Sequence, residues 1–287
     1  MIDVDVDVDI EREAWFKDHV GIFSGSQAIR LLSGIGEEEL LKGDKLDICV
    51  DAIKELTPES FSESSGLPYT QLVNLMVDEE GIMFSAKEVK YAFKSLNPLS
   101  KGLKGYAKEK AIEMLTEFSI PKQLRSKDVL NGIARESEAV GMLSEKIGRK
   151  IDNTTDKDAI FLRLDNPSCD LGATTDGNIF NGMNIEAVVE AKCCSPKVHY
   201  SYLGINSGKD LLEVEPKYYA QVQTEIICAE ADYGYFCVFN PEFTKKDYRF
   251  SYCEIEKDDK YCKGIIERAA LATEYRNSYM KIYEDIK

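Results

Sequence analysis

Asp176, Glu190 and Lys192 are the residues whose types and spacing point most directly to chemistry. They share one stretch, GATTDGNIFNGMNIEAVVEAKCC. Asp176 sits in a TTDG turn at the end of one expected strand. Fourteen residues later, Glu190 and Lys192 flank Ala191 in a valine-rich strand. A strand repeats every two residues, so Glu190 and Lys192 share a face, while Ala191 points away and offers its carbonyl. Two carboxylates on neighbouring strands beside a lysine make a hard-oxygen site suited to Mg2+. Phosphodiester hydrolysis needs such a site: bound metal neutralises charge on phosphoryl oxygens and acidifies a water, and a lysine orients that water or stabilises the developing charge. A charged pair on an apolar strand is costly to bury unless paired or metal-bound, which favours this reading. Taken singly, each feature is ordinary: an E-x-K pair is commonly a surface ion pair, and a DG sequence is commonly plain turn chemistry.

Composition narrows the remaining classes. The chain has 287 residues, enough for one large domain or two modest ones. His19 and His199 are its only histidines, which argues against His-rich zinc hydrolases, and no HExxH, GxxxxGK[ST] or GxGxxG motif is present. The eight cysteines contain no CxxC pair and read as reduced core or surface thiols of a cytoplasmic protein. No stretch approaches the ~20 apolar residues of a membrane span, and MIDVDVDVDIEREAW lacks the features of a signal peptide. The expectation is a cytoplasmic location and no membrane partner. A net charge of −15 argues against a protein coated all over with DNA. It leaves room for a local basic groove, and carboxylates gathered around metal add to the negative count.

The elements that must position these residues follow from patterning. Residues 1–12 form an acidic tail and 13–287 a single domain, with an enlarged helical region over 35–120 and a catalytic core over 131–287. REAWFKDHVGIFSGSQAIRLLSG reads as a short helix, a Gly/Ser turn and a second helix opening near Ser24 or Ser26. LLKGDKLDICVDAIKEL, SAKEVKYAFKSL and GYAKEKAIEMLTEF carry helical spacing, the last with Tyr106, Ile112 and Leu115 expected on one face, and SESSGLPYT is a polar break. Lys101, Lys104, Lys108, Lys110, Lys122, Arg125 and Lys127 read mostly as a solvated face, with a few available to rim a DNA channel. LNGIARESEAVGMLSEKIG is a helix that aligns Glu136, Ala139 and Leu143. Strands follow at AIFLRL, MNIEAVVEAKCC, YGYFCVFN and DYRFSYCEIE, with helices at PKYYAQVQTEIICAEA and DKYCKGIIERAALATEYRNSYMKIYEDI. This order implies an α/β fold with a central mixed β-sheet flanked by helices.

TTDG, VVEAK and YYAQVQ, in that order, resemble the acidic turn, E-x-K strand and Tyr/Gln helix of the lambda exonuclease and alkaline exonuclease family, within the PD-(D/E)xK nuclease superfamily. GIARESEA resembles that family's G-x-x-x-E-x-x-A helix, AWFKDHVGIFSGS its N-terminal segment, and YCEIEKDDKYCKGIIE its closing strand and helix. The resemblance spans nearly the whole chain apart from the acidic tail and the enlarged helical region. It implies a restriction-endonuclease-like core with a helical N-terminal elaboration. It also implies Mg2+-dependent hydrolysis of the 5′-ended strand of linear duplex DNA, leaving 3′ overhangs for recombination.

Carried over by position, the resemblance places Asp176, Glu190 and the Ala191 carbonyl on metal, with two Mg2+ ions expected and Mn2+ as a substitute. Lys192 positions the attacking water, Glu136 completes the shell and Gln221 reaches the site. Asp165 matches a further metal-binding acid, one residue further from Asp176 than the family spacing. Ser26 and Lys127 fall where the family binds a DNA 5′-phosphate, and His19 stands where the family has an arginine for that group, a weaker contact if the imidazole is neutral. A homotrimeric ring around double-stranded DNA ends and a single-strand annealing protein as partner are further implications. A structure- or site-specific endonuclease of the same superfamily and a non-catalytic DNA-end-binding scaffold stand as alternatives.

Overall fold

Among the described residues the chain runs β1 (Phe23–Ser24), a 3-10 helix (Gly25–Arg30), α1 (Asp44–Leu56), α2 (Lys101–Thr116), α3 (Lys127–Ile147), β2 (Asp152–Asn153), β3 (Leu162–Arg163), β4 (Leu171–Ala173), β5 (Gly177–Asn181), β6 (Asn184–Lys192), α4 (Pro196–Tyr202), α5 (Gly208–Val214), α6 (Pro216–Cys228), β7 (Tyr233–Phe239), a 3-10 turn (Lys246–Tyr248), β8 (Phe250–Glu256) and α7 (Asp259–Glu284). The computed structural model describes residues 17–33, 44–56, 84–85, 87–89, 91–92, 99–117, 127–155 and 160–284. The expected acidic tail, Trp15, the 62–70 break, Lys122 and Arg125 lie outside them. Contacts separate two units, Met1–Leu32 with Lys104–Lys287, and Ser33–Leu103.

The larger unit is organised by a five-stranded sheet of order β2-β5-β6-β7-β8. β5 and β6 form an antiparallel hairpin whose turn contains Gly182 at φ +65, a conformation that a side chain would strain. β6 and β7 are parallel, and the long crossover this requires is supplied by α4, α5 and α6. Being central and covered on both faces, β6 is buried without interruption from Ala187 to Ala191. On one face, Val188 packs with Phe236 and Ile255 against Val222 and Ile226 of α6. On the other, Ala187, Val189 and Ala191 pack against Ala139, Val140 and Leu143 of α3. A three-stranded sheet, β1-β4-β3, sets Phe23–Ser24 beside Leu171–Gly172. This is the mixed α/β architecture implied by the sequence. No described helix is long and apolar enough to cross a membrane.

Several details differ from the sequence pattern. In α2 the buried residues are Leu103, Tyr106, Ala107, Lys110, Ala111 and Glu113, whereas Ile112 and Leu115 are exposed. Steps of six and nine residues from Tyr106 turn about 240° and 180° around a helix, so these three side chains never shared a face. Lys110 and Glu113 are buried together as an ion pair of 2.9 Å, and Glu113 Oε2 also accepts the Gly21 N–H at 3.3 Å. The segment between β6 and α6 folds into two short helices that apolar periodicity did not mark. Pro196 opens α4, and the Ser207 hydroxyl accepts the Asp210 N–H at 3.2 Å to cap α5.

The smaller unit has its own apolar cluster, in which Cys49 and Ile53 of α1 pack with Phe84, Val89 and Ala92. Its SAKE sequence forms a reciprocal cap: Ser85 N–H donates to Glu88 Oε2 at 2.7 Å, and Glu88 N–H donates to Ser85 Oγ at 3.3 Å.

His199 on α4 is fully buried, with Nε2 2.7 Å from the Tyr248 carbonyl and Nδ1 without a partner. Burial lowers its pKa below the ordinary histidine value, against the smaller raising effect of the Tyr248 carbonyl. The folded form therefore binds this proton less readily than the unfolded chain. Its stabilising contribution is present above about pH 6.5 and is lost as pH falls toward the folded pKa. Between pH 7 and pH 5 His199→Asn should remove this contribution, so the variant's thermal midpoint should change less unfavourably with falling pH than that of the wild type. An unchanged slope would contradict the assignment.

Candidate active site

The central strand presents its chemistry at its C-terminal end. Glu190 is 1% exposed and points to the α6 face with Lys192 two residues on. The Lys192 ammonium forms an ion pair with Glu190 Oε1, donates to the Ala191 carbonyl at 3.1 Å, and lies 3.9 Å from Asp176 Oδ2. Asp176 is held by backbone on both sides, its N–H donating to the Val189 carbonyl at 2.9 Å and its carbonyl accepting the Thr154 N–H at 3.0 Å. Its Oδ2 accepts the Ala191 N–H at 2.8 Å. The DG turn is thus locked against the end of β6 rather than free at the surface.

Gly177 is part of that lock. A Cβ there would stand 2.7 Å from Ile151 Cγ2 and 3.3 Å from Val140 Cγ1. Gly177→Ala is expected to overpack this contact and cost about 1–3 kcal/mol. The urea midpoint reads the loss, and an unchanged midpoint would show that Ile151 yields freely.

The helix facing the strand supplies two more polar groups. Residues Tyr219–Cys228 of α6 are all buried, so the helix has no solvent face there. Gln221 Nε2 donates to Glu190 Oε1 at 2.6 Å and to Glu225 Oε1 at 3.0 Å. Glu225 is fully buried, and its Oε2 has no partner. Sequence reasoning placed Gln221 and missed Glu225. The one available signal was its position a single helical turn beyond Gln221. Tyr218, stacked on Phe236, places its ring 5.7 Å from Lys192 Nζ.

Glu136 approaches from α3, the helix on the opposite sheet face. Burial first, then the Asp176 carboxylate, push its pKa up to about 7, against the pull of Lys192. Burial also raises Glu190, opposed by Lys192 and reinforced by Asp176. Glu225 is driven well above the carboxylate range by burial, then by Glu190 and Asp176. For Lys192 burial disfavours the charged form, but Glu190, Asp176 and Glu136 together overcome it and keep the ammonium protonated. Burial holds the Cys193 thiol at about 12, so it offers no thiolate beside the carboxylates.

Four acids around one ammonium leave a negative potential that a cation would relieve. Among the described residues, no three carboxylate, imidazole or thiolate groups are gathered closely enough to hold a metal by themselves. The ammonium instead occupies one oxygen of Glu190 and the Ala191 carbonyl. The donors are nonetheless the hard oxygens that Mg2+ takes, and Mg2+ uses one or two carboxylates and keeps several waters. The residues present therefore fit such an ion.

The remaining sequence-selected residues make other contacts. Asp165 is exposed in a surface pocket with Arg163, Asn166 and Asp170, and no hydrogen bond or ion pair among the described residues joins it to Asp176, Glu190 or Lys192. Ser26 is exposed in the 3-10 helix, with its hydroxyl 3.4 Å from that of Ser24. The His19 ring lies 3.8 Å from the Phe161 ring at 39°. Lys127 opens α3, and its side chain lies outside the described residues.

A mixed sheet whose central strand ends in an E-x-K pair, with an acidic turn locked beside it, defines the restriction-endonuclease-like fold class. No family model and no curated protein sequence matches the chain. Among solved structures, the alkaline exonuclease LHK-Exo from Laribacter hongkongensis is similar with a TM-score of 0.59 at 12% identity, over 95% of this chain and 96% of that one, and one of its structures is a complex with dAMP. A phage-related exonuclease from Haemophilus somnus 129PT is similar with a TM-score of 0.50 at 15% identity, over 68% of this chain and 89% of that one. These likenesses show the fold, and they are to the kind of exonuclease that the sequence motifs resemble.

Proposed function

We propose that this chain is a Mg2+-dependent deoxyribonuclease that degrades the 5′-ended strand of linear duplex DNA. The observation that carries the reading is the convergence of Asp176, Glu190, Lys192, Gln221 and Glu136 at the end of one strand. The fold shared with exonucleases supports it. Asp176, Glu190 and the Ala191 carbonyl would hold the cation, with Glu136 completing the shell. When bound, Mg2+ would neutralise charge on the phosphoryl oxygens and acidify a water. Lys192 carries a fixed positive charge beside the same oxygens, where it orients the nucleophile and stabilises charge as it develops. Glu136, raised to about 7, can hold or release a proton near neutral pH. Gln221 anchors Glu190 from the opposite helix. Manganese substitutes for magnesium in this reading, and two ions are accommodated. In this reading Asp165 would be a further metal-binding acid, and Ser26, Lys127 and His19 would contact the 5′-phosphate of bound DNA.

The same reading, through the family resemblance, carries a homotrimeric ring around the duplex, a single-strand annealing protein as partner and a cytoplasmic location. An acidic exterior with lysines lining the hole would reconcile a net charge of −15 with DNA binding. A monomeric mass at working concentration would count against the ring.

Linear duplexes labelled at the 5′ or 3′ end, incubated beside a closed circle with Mg2+ or EDTA, test the reaction. The expected result is metal-dependent loss of the 5′-ended strand, with circles intact. Cut circles would replace this reading with an endonuclease, and loss of the 3′-ended strand would reverse the polarity.

A further inference from the structure

Glu225 has no role in the reaction as described, yet it is fully buried against the groups that do. We propose that Glu225 is a positioning residue that fixes the orientation of the Gln221 amide and, through it, of Glu190. The proposal rests on the nuclease reading only for its kinetic readout.

A glutamine amide carries two N–H donors on one arm and a carbonyl acceptor on the other. Both donors of Gln221 are committed, one to Glu190 Oε1 at 2.6 Å and one to Glu225 Oε1 at 3.0 Å. In this orientation both N–H donors meet side-chain oxygens, whereas a flipped amide would set its carbonyl oxygen against Glu190 Oε1 in place of a donor. The carbonyl is then the hydrogen-bonding atom left for an incoming group, and it is an acceptor. With Glu225 removed, one N–H has no partner and the amide can rotate, loosening its hold on Glu190.

The plain alternative is a helix-stabilising pair four residues apart. Such a pair contributes far less than burying a second acidic group beside Glu190 costs, and an apolar residue would fill the position at no such cost. The arrangement does satisfy both donors of Gln221.

The test compares Glu225→Ala, Glu225→Gln, Gln221→Ala and the Glu225→Ala/Gln221→Ala double variant. Glu225→Ala should lower kcat on linear duplex by roughly 10–100-fold with little change in KM, as removal of a residue that orients a metal ligand typically does. Glu225→Gln keeps an acceptor for the amide and should restore most of the rate. The double variant should be no slower than Gln221→Ala alone. Wild-type kcat in Glu225→Ala, or losses that multiply in the double variant, would overturn the proposal. A second readout is independent of catalysis. The Gln221 side-chain amide protons, assigned in a 15N spectrum by their absence in Gln221→Ala, should both be protected from exchange in the wild type. One should lose protection in Glu225→Ala. If the wild type cleaves no DNA, the nuclease reading fails while this amide signal still decides the role of Glu225, and unchanged protection would overturn it.

Discussion

Lys192→Met is expected to lower the rate of duplex cleavage by about 10²–10³-fold while leaving the protein folded, the scale on which loss of one charge-stabilising donor acts. Methionine retains the length and apolar stem of lysine and removes only the ammonium. Among the described residues, that ammonium is the positive group paired with both Glu190 and Asp176. Its removal leaves Glu190 buried without a counter-charge. Glu190 is already raised by burial, so it can take a proton and spare the fold. Loss of rate without loss of structure is therefore the expected signature, read by single-turnover cleavage alongside a thermal midpoint. A rate within a few-fold of wild type would remove Lys192 from the mechanism.

Arg276→Ala is the substitution expected to cost most in stability, about 3 kcal/mol, through loss of buried charge-assisted hydrogen bonds. Arg276 is 3% exposed on α7. Its guanidinium donates to the Gly21 carbonyl at 2.6 Å, to Asp170 Oδ2 at 2.5 Å and to Asn277 Oδ1 at 2.8 Å. One side chain thereby ties the N-terminal segment and the loop before β4 to the C-terminal helix. Thr273, one turn earlier on α7, accepts the Asp170 N–H at 3.0 Å on the same loop. Asp170 is partly exposed and can be re-solvated, which limits the loss, but the Gly21 carbonyl is left buried. A fall in thermal midpoint of roughly 5–10 °C would match. A shift of a degree or less would mean that water replaces the guanidinium.

The three-residue centre of the site was legible because strand geometry is periodic: an E-x-K spacing in a valine-rich run puts both charges on one face whatever surrounds it. Glu136 was legible for a related reason, since Ala139 and Leu143 mark the buried side of α3 and Glu136 lies one turn before Ala139 on that side. Glu225 was not. A polar residue in a helix ordinarily marks the solvent side, and α6 has no solvent side between Tyr219 and Cys228. The same limit hid Arg276, whose charge suggested a surface residue until its partners were in place. Ile112 and Leu115 failed differently, because their apolar character suggested a core that their angular positions on α2 do not reach. The short strands β1 and β2 carry two residues each and depend on partners distant in sequence, so no local pattern announces them. Asp165 matched by order of motifs, and it is exposed on the loop between β3 and β4.

The central claim is that Asp176, Glu190 and Lys192 form a metal-dependent nuclease site. The most direct measurement is release of acid-soluble nucleotide from uniformly labelled linear duplex by wild type and Glu190→Gln, purified in parallel and assayed with Mg2+ and with EDTA. The account predicts release by the wild type with Mg2+, none in EDTA, and at least a hundredfold less from Glu190→Gln, on the scale of a lost catalytic group. Equal release in EDTA, or undiminished release from Glu190→Gln, would contradict it.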